Sequence, residues 1–243
     1  VLFRISYTTV PETKLEELEK QLKIKFKNKD ILREAFTHRS YLNENTKWAL
    51  PHNERLEYLG DAVLELVTTD FLFNKFPEKQ EGELTSIRAA LVNHTMLSNV
   101  AESLSLEKYI LLSRGEAKDE GRAKEAIIAN SVEALIGAIY IDQNYAKAEK
   151  FIKKYILDQL EEVLEKELFI DAKSQLQEIV QEGQKLTPTY KILQEEGPDH
   201  DKEFIAAVFF GNKKIETGKG FSKQEAERDA AVNALKKVEK KKA

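Results

Sequence analysis

The 243-residue chain contains no cysteine. That single absence excludes a disulfide scaffold, a thiolate zinc site and a cysteine nucleophile, and it fits a reducing compartment. No apolar run approaches the ~20 residues that a membrane span needs. The opening VLFRISYTTVPET has no charged start followed by a long apolar stretch, so no secretory leader is expected. No Gly-rich loop of the Walker or dinucleotide type is present, so no nucleotide cofactor is implied. Excess charge of one sign is also missing: 38 Lys+Arg face 42 Asp+Glu, a net of −4. What remains is a chain with 42% hydrophobic content, enough to build cores and too much for bulk disorder.

The charge is unevenly placed. Residues 171–243 carry 14 basic and 13 acidic side chains, and residues 1–170 carry 24 and 29. A net of +1 beside a net of −5 does not announce nucleic-acid binding by bulk electrostatics. Any such binding has to come from local patches. The tail lysines Lys236, Lys237, Lys240, Lys241 and Lys242 form one patch, though charge runs usually read as solvated helix ends.

Residues 12–160 read as an all-α domain. Apolar residues recur at helical spacing from Leu15 to Leu22. Asp30 is placed to cap a helix through Leu32 and Phe36. After a loop ending near Pro51, a long amphipathic helix is expected over 53–75, with further helices at 84–104, 123–142 and 145–166. Residues 161–172 read as a linker. The pattern then changes. A helix at 173–183 is followed by three β-prone runs, TPTYKILQEEG, KEFIAAVFFGN and KKIETGKG, parted by turn residues. A last helix starts at Ser222. The order α-β-β-β-α makes 173–239 a small α+β domain.

Two helices carry the chemistry. In HNERLEYLGDAVLELV, Glu54, Glu57 and Asp61 fall within an arc of ~60° at ~100° per residue, opposite Leu56, Leu59, Val63 and Val67. Three carboxylates on one stripe suit a divalent cation, or they are an ordinary solvated face. The second helix, IIANSVEALIGAIYI, is apolar on nearly every side and reads as buried. Asn130 and Glu133 are its polar intruders, on a stripe that also holds the small residues Ala126, Ala134 and Gly137. A buried lone carboxylate costs several kcal/mol, or about that, unless it is paired or on a metal. No Lys or Arg lies within four residues of Glu133 on this helix. Set against Glu57 and Asp61, it makes an oxygen-rich site of the Mg²⁺ type, suited to phosphodiester hydrolysis. His38, His52 and His94 lack metal-ligand spacing and read as structural or surface residues.

These residues resemble the ribonuclease III family. HNERLEYLGDAVLELV is similar to its signature, EGELTSIRAALVN and IIANSVEALIGAIYID to its next two blocks in the expected order, and the α-β-β-β-α unit to its double-stranded-RNA-binding domain. The resemblance covers roughly residues 12–239. It implies Glu57 and Asp61 as metal ligands, with Asp61 also a catalytic carboxylate, and Glu133 as the ligand most directly tied to catalysis. It implies Asn130 as a ligand where the family usually has Asp. Glu54 and Glu81 match acids that support the substrate near the site. The implied activity is Mg²⁺-dependent cleavage of double-stranded RNA, with Mn²⁺ able to substitute, to 5′-phosphate and 3′-hydroxyl ends. The implied setting is a cytoplasmic homodimer that processes ribosomal-RNA precursors and other structured transcripts. Asn130 keeps a second reading open. It is a natural variant that still cuts, a change introduced to trap substrate, or the mark of an RNA-binding homologue that no longer cuts. A helical protein–protein adaptor is the third alternative.

The second domain has parts for reading an RNA duplex by shape. Ser174, Gln177, Glu178 and Gln181 share one helix face, either a minor-groove face or a plain polar one. Gly197-Pro198-Asp199-His200 resembles the family's minor-groove loop, with His200 as the contact, or it is a simple hairpin turn. In GKGFSKQEAE, Ser222 and Glu225 form a capping-box pattern. Lys219 and Lys223 flank that helix start, where phosphate is favoured. Gln224 stands where the family usually has a second Lys, so weaker phosphate clamping is expected.

Overall fold

The structure, a computed structural model, describes residues 12–118, 121–169, 172–197 and 202–239. The chain forms two compact units that divide between Phe169 and Ile170. Among the described residues no helix is long and apolar enough to cross a membrane.

The first unit is helical: α1 (Glu12–Leu22), α2 (Lys29–Ala35), α3 (Arg39–Glu44), α4 (Glu54–Lys75), α5 (Glu81–Val92), α6 (His94–Ser103), α7 (Arg122–Asp142), α8 (Tyr145–Tyr155) and α9 (Leu160–Glu165). Its only β feature among the described residues is an isolated bridge between Thr37 and Leu111. Helix α7 runs through the middle. Ala129, Val132, Leu135, Ile136 and Ile139 on it are all fully buried, as the sequence pattern requires. The start of α4 is tied down by Asn53, whose backbone N–H donates to Thr37 (2.9 Å) and whose side-chain amide donates to the Ala35 carbonyl (3.3 Å).

Four local expectations are corrected. The cap of α2 is Asn28, whose side chain accepts from the Asp30 amide, so Asp30 sits inside the first turn. The helix expected at 84–104 is two helices, because Asn93 turns the backbone out to an extended conformation and caps α6 through the Met96 N–H. That expected at 145–166 breaks into α8, a 3₁₀ turn at Leu157–Gln159, and α9. Residues 161–169 are not linker. Val163 is fully buried, and Leu164 and Phe169 pack on the same core, while Ala172 already belongs to the second core.

The second unit has the order α10 (Ala172–Gln184), β1 (Pro188–Glu196), β2 (Glu203–Phe210), β3 (Lys213–Gly220) and α11 (Lys223–Glu239). The strands form an antiparallel sheet in the order β1-β2-β3. Leu176 and Val180 of α10, Val208 and Phe210 of β2, and Ala230, Ala231 and Ala234 of α11 make its core. Strand β3 lies close against α11. A Cβ on Gly218 would stand 2.0 Å from the Ala230 nitrogen, so only glycine lets the two backbones approach so far.

Candidate active site

Helices α4 and α7 touch backbone to backbone. A Cβ on Gly60 would come within 1.8 Å of the Glu133 carbonyl oxygen, and one on Gly137 within 2.2 Å of the Leu56 carbonyl oxygen. Two facing glycines therefore bring the helices into direct contact and fix their register. That register sets the Glu57–Asp61 stripe of α4 beside Asn130 and Glu133 of α7. The Asn130 Nδ2 donates to Glu57 Oε1 at 2.9 Å.

Glu133 is 8% exposed, and no hydrogen bond or ion pair to it is formed among the described residues. Burial is the main force on its carboxyl, and the charges of Asp61, Glu57 and Glu65 add to it, pushing the pKa up to about 8. Burial also raises Glu57. The Asn130 N–H and nearby His94 pull it back, while Glu54 and Asp61 push it further up. Glu133 itself has no counter-charge among the described residues, and hard oxygen donors around such a deficit fit a Mg²⁺-class ion. The donors are not closed into a cage: among the described residues no three acidic or imidazole side chains already surround one point.

The remaining acids are placed differently. Glu54, at the first position of α4, turns toward Arg39 (3.6 Å) and His52 (3.7 Å). Glu81 is not brought to this edge. It opens α5, accepts from the Thr85 hydroxyl at 3.1 Å, and lines a groove with Thr69, Leu72 and Phe73 at the far end of α4. The sequence reading passed over Glu65. It lies four residues beyond Asp61 on the same stripe, acts on Glu133, and is held by Arg88 at 2.8 Å. The i, i+4, i+8 spacing of Glu57, Asp61 and Glu65 was the available signal. His94 is exposed, in keeping with a structural or surface residue, and its charge also acts on Glu57.

In the second unit, Ser174, Gln177, Glu178 and Gln181 are all exposed on one face of α10, opposite buried Leu176 and Val180. The capping pattern forms: the Glu225 N–H donates to Ser222 Oγ (3.2 Å), and the Glu225 carboxylate accepts from the Phe221 N–H (2.9 Å). Lys219 and Lys223 flank it, each already facing an acid, Glu203 at 3.3 Å and Glu195 at 2.8 Å. His200 lies outside the described residues.

Comparison with known proteins decides the kinship. A family model described as ribonuclease-III-like matches residues 28–160, and one for the double-stranded RNA binding motif matches residues 172–238. Ribonuclease 3 of Nitratiruptor sp. is 43% identical over 222 residues, spanning 91% of this chain and 96% of its own. The chain belongs to the ribonuclease III family. Ribonuclease 3 of Borreliella burgdorferi is also 43% identical, over 228 residues, covering 94% of this chain and 93% of that protein. The solved nuclease domain of ribonuclease III from Campylobacter jejuni superposes with a TM-score of 0.54 at 40% identity, covering 59% of this chain and 96% of that one. Its description names a region involved in dimer formation of that domain. The ribonuclease III match spans the whole α4–α7 edge, and the RNA-motif match spans the α10 face and the start of α11.

Proposed function

We propose that this chain is a double-stranded-RNA endoribonuclease that hydrolyses the phosphodiester with Mg²⁺, or with Mn²⁺ in its place, at the α4–α7 edge. Glu133 carries the reading: a nearly buried carboxylate, unpartnered and ringed by other acids. Glu57, Asp61, Glu133 and the Asn130 carbonyl oxygen would hold the ion. A bound Mg²⁺ supplies charge for the phosphoryl oxygens and lowers the pKa of water. The chain's own residues do the rest. Gly60 and Gly137 hold the carboxylates in register. Glu54, braced by Arg39 and His52, faces flanking substrate. The α10 face meets minor-groove hydroxyls, while Lys219, Lys223 and the N-terminus of α11 meet phosphate. We assign it products with 5′-phosphate and 3′-hydroxyl ends and a cytoplasmic role on ribosomal-RNA precursors and other structured transcripts, a reading that family membership supports. The test is cleavage of end-labelled duplex RNA across a Mg²⁺ titration. Cutting that rises with Mg²⁺ and stops in EDTA supports the proposal. Duplex binding without cutting at any Mg²⁺ or Mn²⁺ concentration overturns it in favour of a non-catalytic RNA-binding role.

We also propose that it works as a homodimer. Tyr58, Leu66 and Phe73 of α4 are 82%, 58% and 67% exposed. They form an apolar stripe roughly 100° around the helix from the acids. A second copy covering that stripe would place two acid edges near each other. Light scattering on Leu66→Arg should then report a monomer where the unaltered chain is a dimer, and an unchanged mass would refute this assignment.

A further inference from the structure

We infer that Asn130 is a latch on the metal-free site: its N–H end braces Glu57 beside the unpartnered Glu133, and metal entry has to break that bond. The inference rests on the metal reading above and deepens it.

Glu133 has no partner among the described residues. Arg88, a cation beside the stripe, is engaged by Glu65 at 2.8 Å and by the Thr69 hydroxyl at 2.9 Å. The Asn130–Glu57 bond at 2.9 Å is therefore a main local offset to the repulsion. Neither side chain can be carried away by helix movement, because α4 and α7 are in backbone contact at Gly60 and Gly137. A primary amide has a donor end and an acceptor end, and an ionised carboxylate only accepts. The Asn130 Nδ2 thus has to face Glu57, with its oxygen turned aside. To offer that oxygen to an ion that Glu57 also holds, the amide turns over and the bond is lost. An aspartate at this position would reverse the balance. It would bind a dication with one more charge, and it would stand against Glu57 with no donor between them when the ion is absent.

The test uses the full chain without RNA, in three forms: unaltered, Asn130→Asp and Asn130→Ala. Melting is followed in EDTA, and Mg²⁺ uptake by calorimetric titration. In EDTA, Asn130→Asp should melt roughly 3–6 °C lower, the loss expected for one hydrogen bond to a charged group in a chain this size. Asn130→Ala should fall by less, since it loses the bond without adding a charge. Asn130→Asp should bind Mg²⁺ roughly tenfold more tightly, from one added charge beside a dication. In the unaltered chain the Asn130 side-chain amide resonances, recognised by their absence from Asn130→Asp, should shift as Mg²⁺ is added. Equal melting of Asn130→Asp and the unaltered chain in EDTA, or equal Mg²⁺ affinity, overturns the latch alone. No Mg²⁺ uptake by either overturns the metal reading and the latch with it.

Discussion

Glu19, Asp142 and Glu133 are hidden to the same degree, each 8% exposed. At the corner where the end of α7 meets the α1–α2 turn, the acids are fully partnered. Glu19 accepts from the Phe26 N–H at 2.7 Å and pairs with Lys29. Asp142 accepts from the Lys27 and Asn28 N–H groups, both at 2.8 Å, and from Gln143. Burial pushes Asp142 up, but those donors outweigh it and its pKa is lowered. At the α4–α7 edge, Glu133 has neighbours of its own sign and is raised to about 8. Equal solvent exposure with opposite company separates an acid whose charge the fold satisfies from one whose charge it leaves unsatisfied, which is what the proposed metal site requires.

The contrast breaks first at Glu133→Gln. Cleavage should fall by roughly 10³-fold or more, since a metal's charge stabilisation amounts to several kcal/mol, while duplex binding persists. A nuclease assay beside a gel-shift measurement separates the two. The same variant should be more stable than the unaltered chain in EDTA at high pH. The raised Glu133 pKa gives a stabilising contribution that is fully present below the unfolded value of 4.5 and is lost as pH rises toward about 8. The EDTA melting profile should therefore decline across that window and flatten in Glu133→Gln. Asp142 has the opposite sign. Its contribution is present above the ordinary 3.8 and is lost only as pH falls through its lower folded value.

Next in size is Gly60→Ala, whose methyl would collide with the Glu133 backbone. A cost of about 1–3 kcal/mol or more is expected from overpacking, read as a lower melting point with loss of cleavage. Asp142→Asn sharpens the comparison from the other side. It should lower stability by about 1–3 kcal/mol, because the Lys27 and Asn28 N–H groups lose a charged acceptor. Mg²⁺ affinity by calorimetry should be unchanged. The smallest effects belong to the second unit, where Lys219 and Lys223 already have acid partners. Lys223→Gln should reduce the salt slope of duplex binding by about 1. Glu195→Gln should tighten binding roughly twofold, in keeping with the small worth of an exposed ion pair.

Much of this was legible in the sequence. The apolar run around Ile136 is long and uniform enough to announce a buried helix, and the polar intruder Glu133 stands out against it. The α-β-β-β-α order is punctuated by turn residues that leave little choice. Positions decided by a single side chain or by tertiary packing were not legible. Asn93 could continue a helix or cap one, and its own hydrogen bonds to Ala90 and Met96 decide for the cap. Val163 looks like linker until the core beneath it is known. Leu59 lies on the side of α4 opposite the carboxylates, yet it is only half-buried, while Tyr58 and Leu66 are open. Glu81 has the right residue type, but the turn between α4 and α5 carries it to the other end of α4.

The most direct test of the central claim is anomalous diffraction from crystals of the chain grown with Mn²⁺. The account predicts a peak within coordinating distance of the Glu57, Asp61 and Glu133 carboxylates, with the Asn130 amide turned off Glu57. An active enzyme whose Mn²⁺ sits elsewhere, with Glu133 still unligated, would contradict it.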